Sequence, residues 1–478
     1  MKNKSIIIIG AGFAGLCTGI YGQMNGYKTQ IFEMHNMPGG LCTAWQRKGY
    51  TIDSCIHWLV GSNPNSFMHR MWEEVGISQG RQIINADIFT RYETADGRVL
   101  TLYSNIDRLE QHLLEFAPED SDAIKEYTGG MRTCLDMSQA QDWGKWMQIS
   151  TGEFAKRIKN PALRAVIGGE PGMDGMAMFG MLFTFAYLHN QDAGYPIGGS
   201  LPMSKALEKR YLGLGGNINY KSRVEKILVE DDRAVGVKLS DGNKYYASRV
   251  ISGADGYTTI FKMLDGKYAD AQTREPYENW TPFPSLLYIG IGVNRLFPDE
   301  PVTVSGFSFA LKSPVEIGDS ILTRLPVHIY NQDPTLAPPG KTSLVIMLPS
   351  KIDYWRELVK KRTAYNKKKK QIGQIVVALL EQRFPGISEQ VEMIDVATPL
   401  TWERYTGNWN GSFEGWMPTP QNIMKPMSKT LPGLDNFYMV GQWVGPGGGL
   451  PTGLIHGREV IQTLCAQDGS QFITTVPE

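Results

Sequence analysis

The sequence predicts an α/β protein, a parallel sheet packed between helices, with mixed α and β structure inserted between its parts. Three observations predict it. The chain opens on a short apolar run, Lys4 to Ile9, which passes through glycines into a helical stretch and a second strand-like run ending at Glu33. β-Branched runs separated by turn glycines reappear over residues 218–251. A last apolar run, Phe437 to Val440, again leads through glycines into a helix expected from near Thr452 to about Ala466.

The opening unit carries the chemistry. Its four isoleucines suit a buried parallel strand, and Gly10-Ala11-Gly12-Phe13-Ala14-Gly15 follows at once. Gly10 permits the tight turn, Gly12 lets the backbone approach a pyrophosphate, and Gly15 lets the helix pack on the strand. The helix start offers free N–H groups and a positive dipole end to phosphates. Glu33, 23 residues after Gly10, stands where a carboxylate accepts hydrogen bonds from ribose hydroxyls. Beyond it lie Gly39-Gly40, then Leu41, Cys42 and Thr43. That glycine pair either forms an ordinary turn after Pro38 or lets the backbone approach a second portion of an extended cofactor. The second reading fits FAD. No further GxGxxG follows a strand, so a dedicated NAD(P) site of this type is not expected.

This acid–spacer–Gly-Gly–x–x–Thr run resembles the flavoproteins that include amine oxidases, carotenoid desaturases and Rab GDP-dissociation inhibitors. The resemblance implies a Rossmann-like FAD-binding domain of amine oxidase/GDP-dissociation-inhibitor type with an inserted α+β substrate domain. The cofactor domain is expected over 1–65, 200–275 and 430–478, and the substrate domain over 66–199 and 276–429. In the middle segment, a helix over Leu201–Leu212 precedes strands near Ile218, Val224 and Ala234, a hairpin turn at Asp241-Gly242, and one strand over Tyr245–Ile251. The resemblance places Arg223, Val224, Gly253, Ala254 and Asp255 at the adenine end. In the last segment, Gly441 and Gln442 leave the strand, and four glycines occupy the five positions 445–449. A glycine loop at a helix start suits the negative charge of a reduced flavin. The resemblance sets Gly448, Gly449, Leu450, Pro451 and Thr452 beside it.

The stretch Gly49–Gly61, with Asp53, His57 and Trp58, resembles the carotenoid isomerase and retinol saturase branch of the phytoene desaturase family, with Cys55 where that branch has glycine. The runs Thr398–Tyr405 and Gly411–Gly415 are similar to it as well. The resemblance implies a flavin enzyme acting on a hydrophobic polyene or other unsaturated lipid, as desaturase, saturase or isomerase. His57 and Trp58 would then lie near the isoalloxazine. His57 is a candidate to contact the flavin or shuttle a proton, or a structural histidine. Tyr405 and Glu414 are further catalytic candidates, or pocket wall and surface. Met173–Leu188 is read either as a buried helix or as the methionine-rich lining of a lipid tunnel.

Size and composition agree. The 478 residues can hold large cores, and the formal net charge of zero gives no footing for nucleic acid. Five scattered cysteines without metal-type spacing fit reduced thiols in a cytoplasmic compartment. Seven cations in the eleven residues 360–370, just after Trp355, form a solvated helix face or a peripheral contact with anionic lipids. The resemblance implies a hydrophobic small molecule as partner, and no motif specifies an electron donor or acceptor. Two other classes compete: an amine oxidase-like flavoenzyme, and a lipid-binding protein of GDP-dissociation-inhibitor type without redox work.

Overall fold

The structure is a computed structural model that describes residues 4–169 and 172–477. A five-stranded parallel sheet forms its base, in the order Asn217–Asn219, Lys28–Phe32, Ser5–Ile9, Arg249–Ser252, Phe437–Met439. Strands from three distant parts of the sequence therefore meet in one sheet. The central strand is buried on both faces, as parallel sheets require. Ile6 and Ile8 pack into the core shared by the first helix (Phe13–Met24) and the last (Gly449–Gln467). Ile7 and Ile9 point the other way, onto Val224, Val237 and Leu434.

The two helices approach closely because glycines face the contact. A Cβ on Gly457 would stand 2.8 Å from Thr18 N, and one on Gly453 would stand 3.2 Å from Ala14 N. Below this contact the chain end is tied to the sheet. Asp468 receives Arg249 at 2.6 Å and the Tyr27 hydroxyl at 2.8 Å, with its side chain 5% exposed. Asp468→Ala strands the Arg249 guanidinium, which is 14% exposed. A loss of about 3 kcal/mol is expected, read as a lower denaturant midpoint at unchanged slope. An unchanged midpoint would show that the pair contributes nothing.

A second, seven-stranded sheet combines Ile88–Glu93 and Val99–Tyr103 with five strands between Leu286 and Ala397. All its pairings are antiparallel except the one between Phe307–Ile317 and Ile88–Glu93. The helix Arg362–Arg383 covers one face. A helical cluster built on Ile106–Phe116, Ser121–Thr133 and Met178–His189 stands beside it. The hairpin Ala44–Arg47/Tyr50–Asp53 joins the two halves: Ile52 and Tyr50 pack on Gly290 and Gly292 of the second sheet.

Two local expectations are corrected. The run Tyr245–Ile251 is two strands: Lys244–Tyr246 closes the Asp241-Gly242 hairpin, and Arg249–Ser252 enters the parallel sheet. Ala247 and Ser248 make the crossing, with the Ser248 hydroxyl bonded to the Ser5 carbonyl. The last helix begins at Gly449 rather than near Thr452, because Pro451 is accepted in a first turn where no N–H is needed. Trp355, just before the basic run, is fully buried and bonds Ser350. Among the described residues no helix is long and apolar enough to cross a membrane.

Candidate active site

One cavity of about 1230 Å³ runs from the parallel sheet into the space under the second sheet. Its sheet end is built from glycine loops. Gly10 takes φ +93 to turn out of the first strand, and the Gly39 N–H donates to the Ala11 carbonyl at 2.9 Å, fixing the second glycine loop against the first. A Cβ on Gly12 would meet nothing closer than Gly40 Cα at 4.0 Å, so this backbone opens onto the cavity. Glu33 accepts the N–H groups of Ala11 and His35, both at 2.7 Å, through different oxygens, leaving each oxygen a lone pair. Burial raises its carboxyl above the ordinary value. A backbone cradle above a helix start, with an acid at the next strand's end, fits a dinucleotide.

The expected cofactor residues Gly10, Gly12, Phe13, Ala14, Glu33, Gly39, Gly40, Leu41, Cys42, His57, Trp58, Arg223, Val224, Gly253, Ala254, Asp255, Gly441, Gln442, Gly448, Gly449, Leu450 and Pro451 all line this cavity. Three others do not. Ala11 is fully buried beneath the loop. Gly15 sits under Gly10, where a Cβ would come within 2.0 Å of the Gly10 carbonyl oxygen. The Thr452 hydroxyl donates to the Gly448 carbonyl inside the helix.

The His57 segment is held from below by a buried acid. Asp53 accepts the Ser200 N–H at 2.5 Å, the Ser200 hydroxyl at 2.6 Å and the Cys55 N–H at 3.1 Å. Ser200 starts the helix Ser200–Gly213, and its hydroxyl oxygen also accepts the Ile56 N–H at 2.9 Å. The turn is thus clamped at a helix N-terminus, although burial still pushes Asp53 up to about 6. His57 makes no hydrogen bond among the described residues, and burial holds its imidazole down at about 4, so it is neutral.

The opposite wall is the loop 407–414. Asp255 accepts the N–H groups of Thr258 and Trp409, both at 2.7 Å, so the acid orders this loop while lining the cavity. Asn408, which sequence reasoning passed over, links the loop to the last glycine run: its Oδ1 accepts Trp443 Nε1–H at 2.7 Å and the Gln442 amide at 3.2 Å. Glu414 then lies over Gly448 and Gly449. A Cβ on Gly448 would stand 3.1 Å from its carboxyl carbon. Burial pushes the Glu414 carboxyl up to about 8, so it is a neutral acid near pH 7.

Tyr405 is placed differently. Its ring is 45% exposed and meets His35 edge-on at 5.1 Å, close to Glu33 rather than to His57. His328, unremarked in the sequence, faces His57 with ring centres 5.2 Å apart. The helix Met178–His189 serves two surroundings at once. Met178, Leu182 and Ala186 are in the core, while Phe179, Met181 and Phe183 line the cavity with Met173 and Met176.

Residues 13–464 match the family model described as flavin containing amine oxidoreductase. Among curated proteins the chain is 26% identical to a chloroplastic prolycopene isomerase of Daucus carota, over 94% of this chain and 78% of that protein. It is 23% identical to a neurosporene-forming phytoene desaturase of Cereibacter sphaeroides, over 96% and 94%. Among solved structures, an oxidoreductase from Methanosarcina mazei superposes with a TM-score of 0.60 at 18% identity, covering 96% of this chain and all of that one.

Proposed function

The chain belongs to the flavin containing amine oxidoreductase family, and we propose that within it the protein is an FAD-dependent enzyme that makes, removes or isomerises C=C bonds in a carotenoid-like or other unsaturated lipid. One observation carries this reading. The cavity lined by the glycine loops is lined as well by Met176, Phe179, Met181 and Phe183. Sulfur and aromatic edges suit a polarizable apolar chain. The relatives named for polyene isomerisation and desaturation, alike over more than nine-tenths of this chain, support the same substrate class.

The residues divide the work. The Gly10–Gly15 loop and Glu33 hold phosphate and ribose, and the N-terminus of Gly449–Gln467 faces the site of charge. Bound FAD supplies hydride or single-electron capacity. Met176, Phe179 and Phe183 exclude water and orient the chain. Glu414 keeps a proton beside Gly448, where a neutral acid can donate it. His57, uncharged and with its Nδ1 unpaired among the described residues, can receive or return one.

The test is product analysis after anaerobic incubation with poly-cis and all-trans carotenes, with and without NADPH. A change in the number or geometry of double bonds is expected, together with a flavin absorption spectrum. Bleaching by amines instead would assign amine oxidation. A colourless protein that refuses FAD would assign lipid binding alone. His57→Ala is expected to lower turnover about a hundredfold while the bound flavin stays stoichiometric, and unchanged kinetics would remove His57 from the mechanism.

Such a substrate partitions into bilayers, and Lys361, Arg362, Lys367 and Lys370, with Lys360 paired to Glu357, are the exposed cations of the basic run that anionic headgroups would meet. Flotation with phosphatidylserine liposomes tests that contact, and no binding at low salt would remove it.

A further inference from the structure

The reading above leaves one polar feature of the cavity unused. His328 lies on the strand Ser320–Ile329 and is only 3% exposed. Its neighbours Val327 and Ile329 pack into the core beneath the sheet. Alternation along the strand therefore turns His328 to the cavity. The His57 ring stands 5.2 Å away on one side and the Tyr330 ring 4.3 Å away on another. Neither nitrogen of His328 has a hydrogen-bond partner among the described residues, and neither does Nδ1 of His57.

Buried polar atoms are bonded in folded proteins, and leaving them unpaired is costly. Two adjoining imidazoles with three unpaired buried nitrogens, on the wall of a ligand-sized cavity, are therefore arranged for a ligand's polar atom. The chemistry of that atom follows from the rings. Burial holds both below the ordinary histidine value, so each is neutral and carries one donor and one acceptor. A carboxylate would find no counter-charge in the pair. A carbonyl could only accept. A hydroxyl both donates and accepts, so it can bridge the two rings. A plain hydrocarbon would leave all three nitrogens unpaired.

We propose that His57 and His328 together bind a hydroxyl group of the substrate, so that the site prefers a hydroxylated unsaturated lipid to the same chain without the hydroxyl. This rests on the assignment of the cavity to an unsaturated lipid. His328 is in this account a specificity residue and takes no part in bond making.

The experiment uses the FAD-loaded protein and two probes, geranylgeraniol and the same C20 chain ending in a methyl group. Binding is read from the flavin difference spectrum and from quenching of tryptophan emission, since Trp58 lines the cavity. The alcohol is expected to bind about tenfold tighter or more, because a site built to bond a hydroxyl disfavours the analogue lacking it. His328→Phe, which fills the same space without nitrogens, should reduce that preference to about twofold or less while the hydrocarbon binds as before. His57→Phe repeats the test if the first variant loses FAD. Equal affinities in the wild-type protein would overturn the proposal, as would a preference that survives both substitutions. If neither probe changes either signal, the lipid-site assignment itself falls and takes this proposal with it.

Discussion

Replacing Gly12 with valine is expected to give a folded, colourless protein. Gly12 precedes the first helix at φ −68, ψ 175, a conformation that any L-residue adopts. A Cβ there touches nothing nearer than 4.0 Å, so the protein itself has room for the side chain. What that side chain enters is the cavity above the helix start, where phosphate oxygens must reach within hydrogen-bond distance of backbone N–H groups. Displacing them forfeits charge-assisted bonds of about 1.5–3 kcal/mol each, so FAD affinity should drop about a hundredfold or more. Gly15 gives the contrast. A Cβ at Gly15 would lie 2.0 Å from the Gly10 carbonyl oxygen, a backbone atom that cannot swing aside. Gly15→Ala must push helix from strand, with a cost of about 1–3 kcal/mol whether or not cofactor is present. Flavin-to-protein absorbance and thermal melting of the apo-proteins separate the two. A Gly12→Val protein that keeps stoichiometric FAD would sink the assignment of the glycine cradle to the phosphates. An apo Gly15→Ala protein as stable as wild type would sink the packing argument.

The contrast also explains what could be read in the sequence. Gly10, Gly39, Gly40, Gly441, Gly448 and Gly449 all hold positive φ, a local demand that only glycine meets cheaply, so their spacing betrays the loops directly. The strands beside them are short, apolar and bounded by those same glycines. His328 offered no such sign. Its partner His57 is far away in sequence, and the two meet only through the pairing of Phe307–Ile317 with Ser320–Ile329 and of that strand with Thr342–Pro349. Asn408 is similarly silent, since its value lies in joining two loops that no local pattern connects. The split of residues 244–252 was hidden for a related reason. Both halves favour strands, and only the competition between two sheets for their hydrogen bonds decides where one ends. For Tyr405 the sequence leaves chemistry, pocket wall and surface open, because only the helix Pro399–Thr406 decides that its half-exposed ring meets His35 at the cavity wall.

Glu414→Gln is expected to remove a pH dependence as well as a proton donor. The carboxyl stands at about 8 against an ordinary 4.5, with burial as the cause. The folded protein therefore binds this proton more tightly than the unfolded chain. Its contribution to stability is complete below about 4.5 and is lost as pH rises to about 8. Other groups crowd the lower part of that range. Asp53 and Asp255, both raised to about 6, lose stability in the same direction but have finished by then. The depressed imidazoles His35, His57, His112, His328 and His456 act in the opposite sense and fade only about one unit above 6.5, where the unfolded chain's histidines are nearly all neutral. Between about 7.5 and 8 the remaining slope, at most about 1.4 kcal/mol per pH unit, belongs chiefly to Glu414. The apo wild-type protein should thus melt at a falling temperature across that interval, and Glu414→Gln should melt at a constant one. A slope that persists in the variant would place the raised proton elsewhere. Turnover supplies the second readout: glutamine keeps the volume but cannot release a proton, so a loss of about a hundredfold is expected, and wild-type turnover should decline above about 8 as the acid ionises. Full activity in the variant, with the thermal slope abolished, would leave Glu414 protonated and buried but outside the chemistry.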